Sequence, residues 1–380
     1  MQYRELGKSG LKVSALGYGA WGIGGAGWVG AEDDESLRAL ERAVELGVNF
    51  IDTARGYGDS ERLVGQVVRR HPDQDLYVAT KVPPKNGTFP AARGIDPAQA
   101  FPGDHIRSNL EASLRVSGLE AFDVFQFHVW SDEWIGRGDW LETVSELKEQ
   151  GKIRAFGVSI NDFQPDSALE LVASGVVDTI QVIYNVFHQQ PEEQLLPACA
   201  EHGVGVIVRV ALDEGGLTGR VTADTRFPEG DFRSNYFRGD RPSQVEQRIN
   251  ALNKDLGISA DQTADLALRY VLESPAVSTV IAGMRTVRNV ERNAATMDER
   301  RLTAAQMDTL KTAKGPAFDW YFLTFMIQHH KGAISMVDEL MSAKGAANDD
   351  DVFKFVSDVV ADQSTEIDRM ELLLKARSRP

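Results

Sequence analysis

Eight short apolar runs, separated by amphipathic stretches, limit the fold of this chain more than any other feature. The predicted strands are 15–21, 49–54, 76–82, 122–130, 153–160, 179–185, 204–211 and 277–284. Helical patterns lie between them, such as 34–46 with apolar residues at 37, 40, 44 and 46, and 140–150. Strands that are apolar almost throughout indicate a parallel sheet covered by helices. Eight βα units over about 280 residues predict a TIM (β/α)8 barrel, an α/β fold.

The alternative is a doubly wound open sheet, which would require a glycine fingerprint between its first strand and first helix. Gly22-Ile23-Gly24-Gly25 follows a strand, but 30–34 continues as a loop, so the barrel is favoured. Closing helices are predicted over 286–296 and 304–313, and Lys314-Gly315-Pro316 then interrupts the helical pattern. We therefore expect a barrel over 1–313 and a helical hairpin appendage over 316–380.

Composition narrows the classes of partner. The formal net charge of −15 opposes binding to nucleic acid or to anionic membranes. The chain has one cysteine, Cys199, which excludes an intrachain disulfide. No stretch approaches the 18 apolar residues of a membrane span, and residues 1–5 lack the apolar core of a signal peptide. We expect a cytoplasmic protein.

Polar side chains follow three neighbouring predicted strands. Asp52 ends the second strand, Tyr57 lies in the loop after it, Lys81 ends the third strand and His128 lies near the end of the fourth. Each alone has an ordinary structural explanation, such as a loop cap, an edge charge or a core histidine. Together they suit proton donation to a carbonyl oxygen that receives hydride. An ammonium lowers the pKa of a tyrosine from about 10, a carboxylate holds the ammonium, and a histidine orients the carbonyl.

The sequence here resembles the aldo-keto reductase family over residues 1 to 313. Asn49-Phe50-Ile51-Asp52-Thr53-Ala54, then Tyr57-Gly58 and Glu61-Arg62-Leu63-Val64-Gly65, is close to that family's first signature. The resemblance implies NADPH-dependent reduction of an aldehyde or ketone, a small-molecule carbonyl substrate. It also implies Tyr57 as general acid, Lys81 as its pKa-lowering partner, Asp52 as anchor of Lys81, and His128 as orienter of the carbonyl.

The resemblance also implies a cofactor site at the ends of the remaining strands. Its residues are Gly19, Ala20, Trp21, Asp52, Ser159, Asn161, Gln181, Arg209, Leu212, Gly215, Leu217, Gly283, Met284, Arg285, Asn289 and Asn293. Ser159 and Gln181 are expected at the nicotinamide carboxamide, Arg209 beneath the ring, and Arg285 at a 2′-phosphate, which favours NADPH over NADH. The chain departs from the family in two places: Ile160 separates Ser159 from Asn161, and Arg292 replaces an acidic adenine contact.

The substrate pocket is less defined by the sequence. Trp21, Trp28 and Trp130 follow strands at the catalytic end, where they would either line an apolar pocket or simply pack. The insertion 83–103 is rich in Pro, Gly and Ala and is predicted to be a lid or a pocket wall.

The tail predicts two amphipathic helices, 318–341 and 351–375. Met326, His329, His330 and Met336 share one helical face, and Met370 lies on the stripe expected to oppose it. The tail resembles a family of ferritin-like, Met/His-rich helical domains. Two interpretations stay open: packing of a helical hairpin, and a site for Cu(I) or another soft metal. Two helices cannot close a four-helix bundle, so the tail is expected either to dock on the barrel or to self-associate with another copy of the chain.

The sequence is also compatible with two other functions. In the first, the barrel binds the cofactor and the protein acts as a cofactor-sensing regulatory subunit with little turnover. In the second, the tail is a metal-handling module that is fused to the barrel. The intact set of Asp52, Tyr57, Lys81 and His128 favours the enzyme.

Overall fold

The eight predicted strands are all present and form one closed, parallel barrel. A computed structural model describes residues 1–91, 94–312, 316–342 and 349–375. A short antiparallel hairpin, β1 (Tyr3–Glu5) and β2 (Lys12–Ser14), precedes the barrel. The barrel strands are β3 (Leu16–Gly19), β4 (Phe50–Asp52), β5 (Tyr77–Val82), β6 (Phe122–Phe127), β7 (Ile153–Ser159), β8 (Thr179–Ile183), β9 (Gly205–Arg209) and β10 (Val277–Gly283). Each pairs with its neighbours in the chain, and β10 pairs with β3 to close the ring.

Helices cover the outside of the barrel, as the amphipathic stretches predict. Those of the first unit are α1 (Asp33–Glu45), α2 (Ser60–Val68), α3 (Pro97–Ala100), α4 (Gly103–Ser117), α5 (Trp140–Glu149), α6 (Leu169–Ser174), α7 (Leu195–Glu201), α8 (Phe232–Tyr236), α9 (Arg241–Leu256), α10 (Thr263–Glu273), α11 (Val287–Ala294) and α12 (Ala304–Thr312). In α1, Ala39, Leu40, Ala43 and Val44 are buried, which is the spacing of one helical face.

One end of the barrel is closed by apolar side chains. Leu6, Leu11 and Val13 of the N-terminal hairpin segment are fully buried. They form one cluster with Phe50 and Ala79, which lie on β4 and β5, and with residues of four further strands. This packing closes the end of the barrel that faces the hairpin. The carboxyl ends of the strands lie at the opposite end, and we expect the functional site there.

The chain divides into two compact units, Met1–Lys311 and Thr312–Pro380. The second unit holds α13 (Pro316–Ser342) and α14 (Asp350–Lys375), close to the two predicted tail helices. Ile327, Val356 and Ile367 are buried within this unit. Within the described ranges, no helix combines the length and the apolar character needed to cross a membrane.

Candidate active site

Asp52 and Lys81 form a buried ion pair at the carboxyl ends of β4 and β5. The two strands are adjacent and parallel, so the ends that carry these residues lie side by side. Lys81 Nζ lies 2.5 Å from Asp52 Oδ2 and donates a second hydrogen bond of 2.9 Å to the carbonyl oxygen of Thr53. Lys81 is 1% exposed and Asp52 is 2% exposed. The carboxylate therefore fixes the ammonium in one position.

The loop between β4 and α2 places Tyr57 over this pair. Lys81 Nζ lies 4.9 Å from the centre of the Tyr57 ring. The ring centres of Tyr57 and His128 are 5.8 Å apart, with an angle of 72° between the ring planes. Two glycines allow this position: Gly24, in the segment after β3, lets the loop pass close by, and Gly58 lies in the loop itself. A Cβ on Gly24 would lie 1.6 Å from the carbonyl oxygen of Tyr57, and Gly58 adopts φ +60. The structure thus brings Asp52, Tyr57, Lys81 and His128 together.

A glutamine pair extends the network from Asp52 towards β7 and β8. Gln181 Nε2 donates to Asp52 Oδ1 at 2.8 Å, and Gln126 Nε2 reaches the same oxygen at 3.4 Å. Ser159 Oγ lies 3.5 Å from Gln181 Oε1. Gln126 was not predicted from the sequence, although an amide within the apolar run 122–130 was a usable signal; the structure buries this side chain fully.

Burial and the nearby charges have opposite effects on the pKa of Tyr57. Burial raises this pKa above its ordinary value, and Asp52 adds to the rise, while Lys81 and Arg209 oppose it. Lys81 acts in the expected direction, but desolvation outweighs the ammonium, so the pKa of Tyr57 in the protein alone lies above its ordinary value. Burial, Lys81 and Arg209 together hold the pKa of His128 well below 6.5. The imidazole is therefore neutral near pH 7.

The predicted cofactor residues lie at the carboxyl ends of β3 and β7 to β10 and in the segments after them. Gly19, Ser159, Arg209 and Gly283 are the last residues of their strands, and Gln181 lies within β8. Ala20 and Trp21 follow β3, and Met284 follows β10, where its carbonyl oxygen accepts from the Tyr18 hydroxyl at 2.8 Å. Asn289 and Asn293 lie on α11, whose N-cap is Thr286. All of these positions belong to one end of the barrel.

The loop after β9 has an unusual backbone. Val210, Asp213 and Glu214 all have φ near +50, a region that side chains with a Cβ rarely adopt. The Leu212 carbonyl accepts from the amides of Gly215 and Leu217, which fixes the turn. Burial, with Asp213 beside it, raises the pKa of Glu214 to about 7.

Three observations fit a dinucleotide at this end of the barrel. Space lies open beside Gly215 and Gly283: among the described residues, a Cβ on either would meet no atom within 4 Å beyond its immediate chain neighbours. Ser159 Oγ and Gln181 Oε1 face each other, as groups that would bind a carboxamide. Arg209 Nε is buried and has no hydrogen-bond partner in the part of the chain that the structure describes.

Arg285 and Asn161 have protein partners that the sequence did not predict. Arg285 Nη1 donates to the carbonyl oxygen of Val29 at 2.8 Å. Asn161 Nδ2 donates to the carbonyl oxygen of Trp130 at 3.0 Å and to Gln164 Oε1 at 3.1 Å. Both amide hydrogens of Asn161 are therefore used within the protein.

An aromatic cluster packs against the Tyr57 ring. Trp21 stacks on Tyr57 at 5.8 Å and contacts Trp28 at 5.6 Å and Phe232 at 4.8 Å. Trp130 is fully buried and packs against Trp134 and Trp140 instead. Of the three predicted pocket tryptophans, Trp21 and Trp28 belong to the wall around Tyr57.

The described tail residues are not assembled as the predicted metal site requires. His330 Nδ1 lies 2.8 Å from the Met326 carbonyl oxygen, and its Nε2 pairs with Glu366, so both ring nitrogens already have partners. Met336 is 67% exposed, Met370 is half-buried, and the side chain of His329 lies outside the described residues. Across the described ranges, no group of three or more His, Cys, Asp and Glu side chains is placed to hold a metal ion. The Cu(I) prediction and the ferritin-like resemblance therefore gain no support.

Comparison with known proteins places this geometry in a family. The model of the aldo/keto reductase family matches residues 15–314. The chain belongs to the aldo/keto reductase family. It is 27% identical to aldo-keto reductase YhdN of Bacillus subtilis, over 84% of this chain and 97% of that one. It is 28% identical to an NADH-specific methylglyoxal reductase of Escherichia coli, over 78% and 94%. The solved glycerol dehydrogenase AKR11B4 of Gluconobacter oxydans has a TM-score of 0.66 at 28% identity, over 82% and 94%. The protein is an oxidoreductase of this family.

Proposed function

We propose that the protein reduces an aldehyde or ketone to an alcohol with NADPH, and that Tyr57 is the general acid. The observation that carries this proposal is the position of Tyr57, between the buried Lys81–Asp52 pair and a neutral His128. A reduced nicotinamide cofactor supplies the hydride when it is bound. The Tyr57 hydroxyl donates a proton to the carbonyl oxygen, on which negative charge develops.

The other three residues prepare this proton transfer. Lys81 places a positive charge below the Tyr57 ring, which opposes the pKa rise that burial causes. Asp52 keeps the ammonium in place through the 2.5 Å contact. His128 is neutral, so one ring nitrogen carries a hydrogen that it donates to the carbonyl oxygen, which orients the substrate without adding a second cation.

Arginines support NADPH as the cofactor. Arg285 precedes α11 and, beyond its bond to the Val29 carbonyl, offers further N–H donors for a 2′-phosphate. Burial lowers the pKa of Arg220, and the neighbouring charges of Arg292 and Arg288 add to this effect. Such a local positive field suits the three phosphates of NADPH, although the whole chain carries a charge of −15.

A panel of aldehydes and ketones tests the proposal. We expect substrate-dependent oxidation of NADPH by the purified protein, with at least one aldehyde giving saturable kinetics. A cofactor-sensing subunit would bind NADPH tightly but oxidise it no faster than a buffer control. Binding without turnover across the panel would therefore reject the proposed activity.

We also propose that the tail associates with a second copy of the chain. Met336, Phe353, Phe355 and Leu372 are exposed apolar side chains on its two helices. Light scattering of the full chain and of a Phe353→Asp, Phe355→Asp variant tests this proposal, and a monomeric parent protein would reject it.

A further inference from the structure

The insertion after β5 presents an aromatic side chain to the catalytic histidine. Phe89 lies in the described part of the insertion, 83–91 and 94–103. Its ring centre is 5.4 Å from that of His128, at an interplanar angle of 86°. Phe89 is nevertheless 53% exposed. A large apolar ring is therefore held beside the reacting groups with half of its surface uncovered.

Phe89 and Trp21 contact different members of the catalytic set. Phe89 contacts His128, and His128 contacts Tyr57 edge-on. Trp21 stacks on Tyr57 and is backed by Phe232. A carbonyl oxygen bound at Tyr57 and His128 would therefore have its substituent close to aromatic rings contributed by two separate loops.

Asn161 holds the part of the insertion that carries Phe89. The Ala91 amide donates to Asn161 Oδ1 at 3.1 Å, while Asn161 Nδ2 donates to the carbonyl oxygen of Trp130. Asn161 is only 6% exposed. One buried amide thus ties the insertion to the segments that follow β6 and β7.

A second set of bonds holds the far side of the insertion. Trp134 Nε1 donates to the carbonyl oxygen of Ile95 at 2.8 Å, and the Gly94 amide donates to Glu133 Oε2 at 2.7 Å. Both partners lie in the segment after β6. The insertion is therefore anchored at two points after Phe89, at Ala91 and at Gly94–Ile95, and such anchoring suits a pocket wall.

We propose that Phe89 is a specificity-determining residue that selects carbonyl compounds with an aromatic substituent, and that Asn161 is the residue that positions it. This inference rests on the proposed carbonyl reduction for its biological meaning. Two aromatic rings with centroids about 4.5–7 Å apart stabilise a complex by more than the burial of their apolar surface alone. A substrate ring would cover the exposed half of Phe89, whereas a short aliphatic carbonyl compound would leave it in water.

Ligand binding tests the role of Phe89 without requiring turnover. Benzamide and acetamide serve as unreactive probes, and calorimetry gives the affinity of each for the full chain with and without NADP+. We expect Phe89→Ala to reduce the ratio of benzamide to acetamide affinity by roughly twofold to tenfold. Phe89→Leu keeps apolar bulk but lacks the ring, so its affinity ratio should lie between those of the parent protein and of Phe89→Ala. An unaltered ratio in Phe89→Ala would overturn the assignment.

Steady-state kinetics with benzaldehyde and acetaldehyde separates this inference from the proposed function. If the parent protein reduces neither compound but Phe89→Ala loses benzamide selectivity, the proposed function fails and the pocket assignment stands. If both aldehydes are reduced and Phe89→Ala lowers kcat/KM equally for both, the pocket assignment is wrong and the function stands.

Asn161→Ala tests positioning against direct cofactor binding. Loss of the bond to the Ala91 amide should reproduce the selectivity loss of Phe89→Ala, and Asn161→Asp, which keeps that acceptor, should restore part of it. The dissociation constant of NADPH is measured in parallel. A variant that weakens NADPH more than benzamide, or that keeps full benzamide selectivity, would contradict the positioning role.

Discussion

Replacing Lys81 by methionine tests how the active site depends on its buried ion pair. Methionine keeps most of the apolar stem but removes the ammonium that contacts Asp52 Oδ2 and the Thr53 carbonyl. Asp52 is then left as a buried carboxylate whose remaining donors are the neutral amides of Gln181 and Gln126. Breaking one side of such a pair costs about 3–5 kcal/mol of unfolding free energy. We also expect turnover to fall by at least about 100-fold.

The matched control is the double variant Asp52→Asn, Lys81→Met. It has no uncompensated charge, and asparagine keeps an acceptor for Gln181, so about 2 kcal/mol or more of the lost stability should return while activity stays absent. Urea unfolding followed by tryptophan fluorescence measures this, because five of the six tryptophans lie within residues 1–311. A Lys81→Met protein as stable as the parent, or a double variant less stable than either single one, would refute the reasoning.

Three further predictions concern the cofactor and pH. Arg285→Ala should weaken the binding of NADPH by roughly 10- to 150-fold and the binding of NADH much less, as measured by cofactor titration. Equal weakening of both cofactors would mean that Arg285 serves only to hold the Val29 carbonyl. With saturating cofactor, kcat/KM for the aldehyde should stay level from about pH 6 to 9, because the pKa of His128 lies below this window and that of Tyr57 above it; an ionisation near pH 7.5 would contradict this. Burial raises the pKa of Glu214 to about 7, so its negative charge develops above that pH beside Leu212, Gly215 and Leu217, which are expected to bind the cofactor. NADPH affinity should then fall between pH 6 and 8 in the parent but not in Glu214→Gln, and parallel curves would exclude the effect.

Strand positions could be predicted from sequence because the barrel strands are buried on both faces. Such strands are nearly continuous apolar runs, and all eight predicted runs overlap the observed ones. The ends are less certain: the run 122–130 predicts three residues more than β6 (Phe122–Phe127) contains. His128, Val129 and Trp130 continue the pattern of the run, but in the structure they belong to the segment after the strand. Tertiary contacts decide the conformation of such strand ends.

Asp52, Lys81 and His128 could be predicted as neighbours because parallel strands align their carboxyl ends. The long-range loop contacts could not. Nothing local to Phe89 indicates His128 as its neighbour, and nothing local to Arg285 indicates the Val29 carbonyl. The direction of the Tyr57 pKa also escaped the sequence, because the number of atoms that displace water from a phenol is set by packing.

The tail shows the limit of helical periodicity. The spacing places Met326, His330 and Met336 on related turns of one helix, and the helix is present. A shared face does not specify partners, and His330 bonds a carbonyl oxygen of its own helix and Glu366 of the other. To assign a metal ligand, one must know which side chains of neighbouring elements face it. The periodicity of a single helix does not give this information.

The most direct test of the account is the turnover of Tyr57→Phe with a substrate of the parent enzyme. Phenylalanine removes the proton donor and keeps the ring between Trp21 and His128. We predict that kcat for carbonyl reduction falls by roughly 10²- to 10⁴-fold. The dissociation constant of NADPH should change by less than about threefold, since no cofactor contact is assigned to the hydroxyl. A variant that reduces the carbonyl within a few-fold of the parent rate would contradict the assignment of Tyr57 as the general acid.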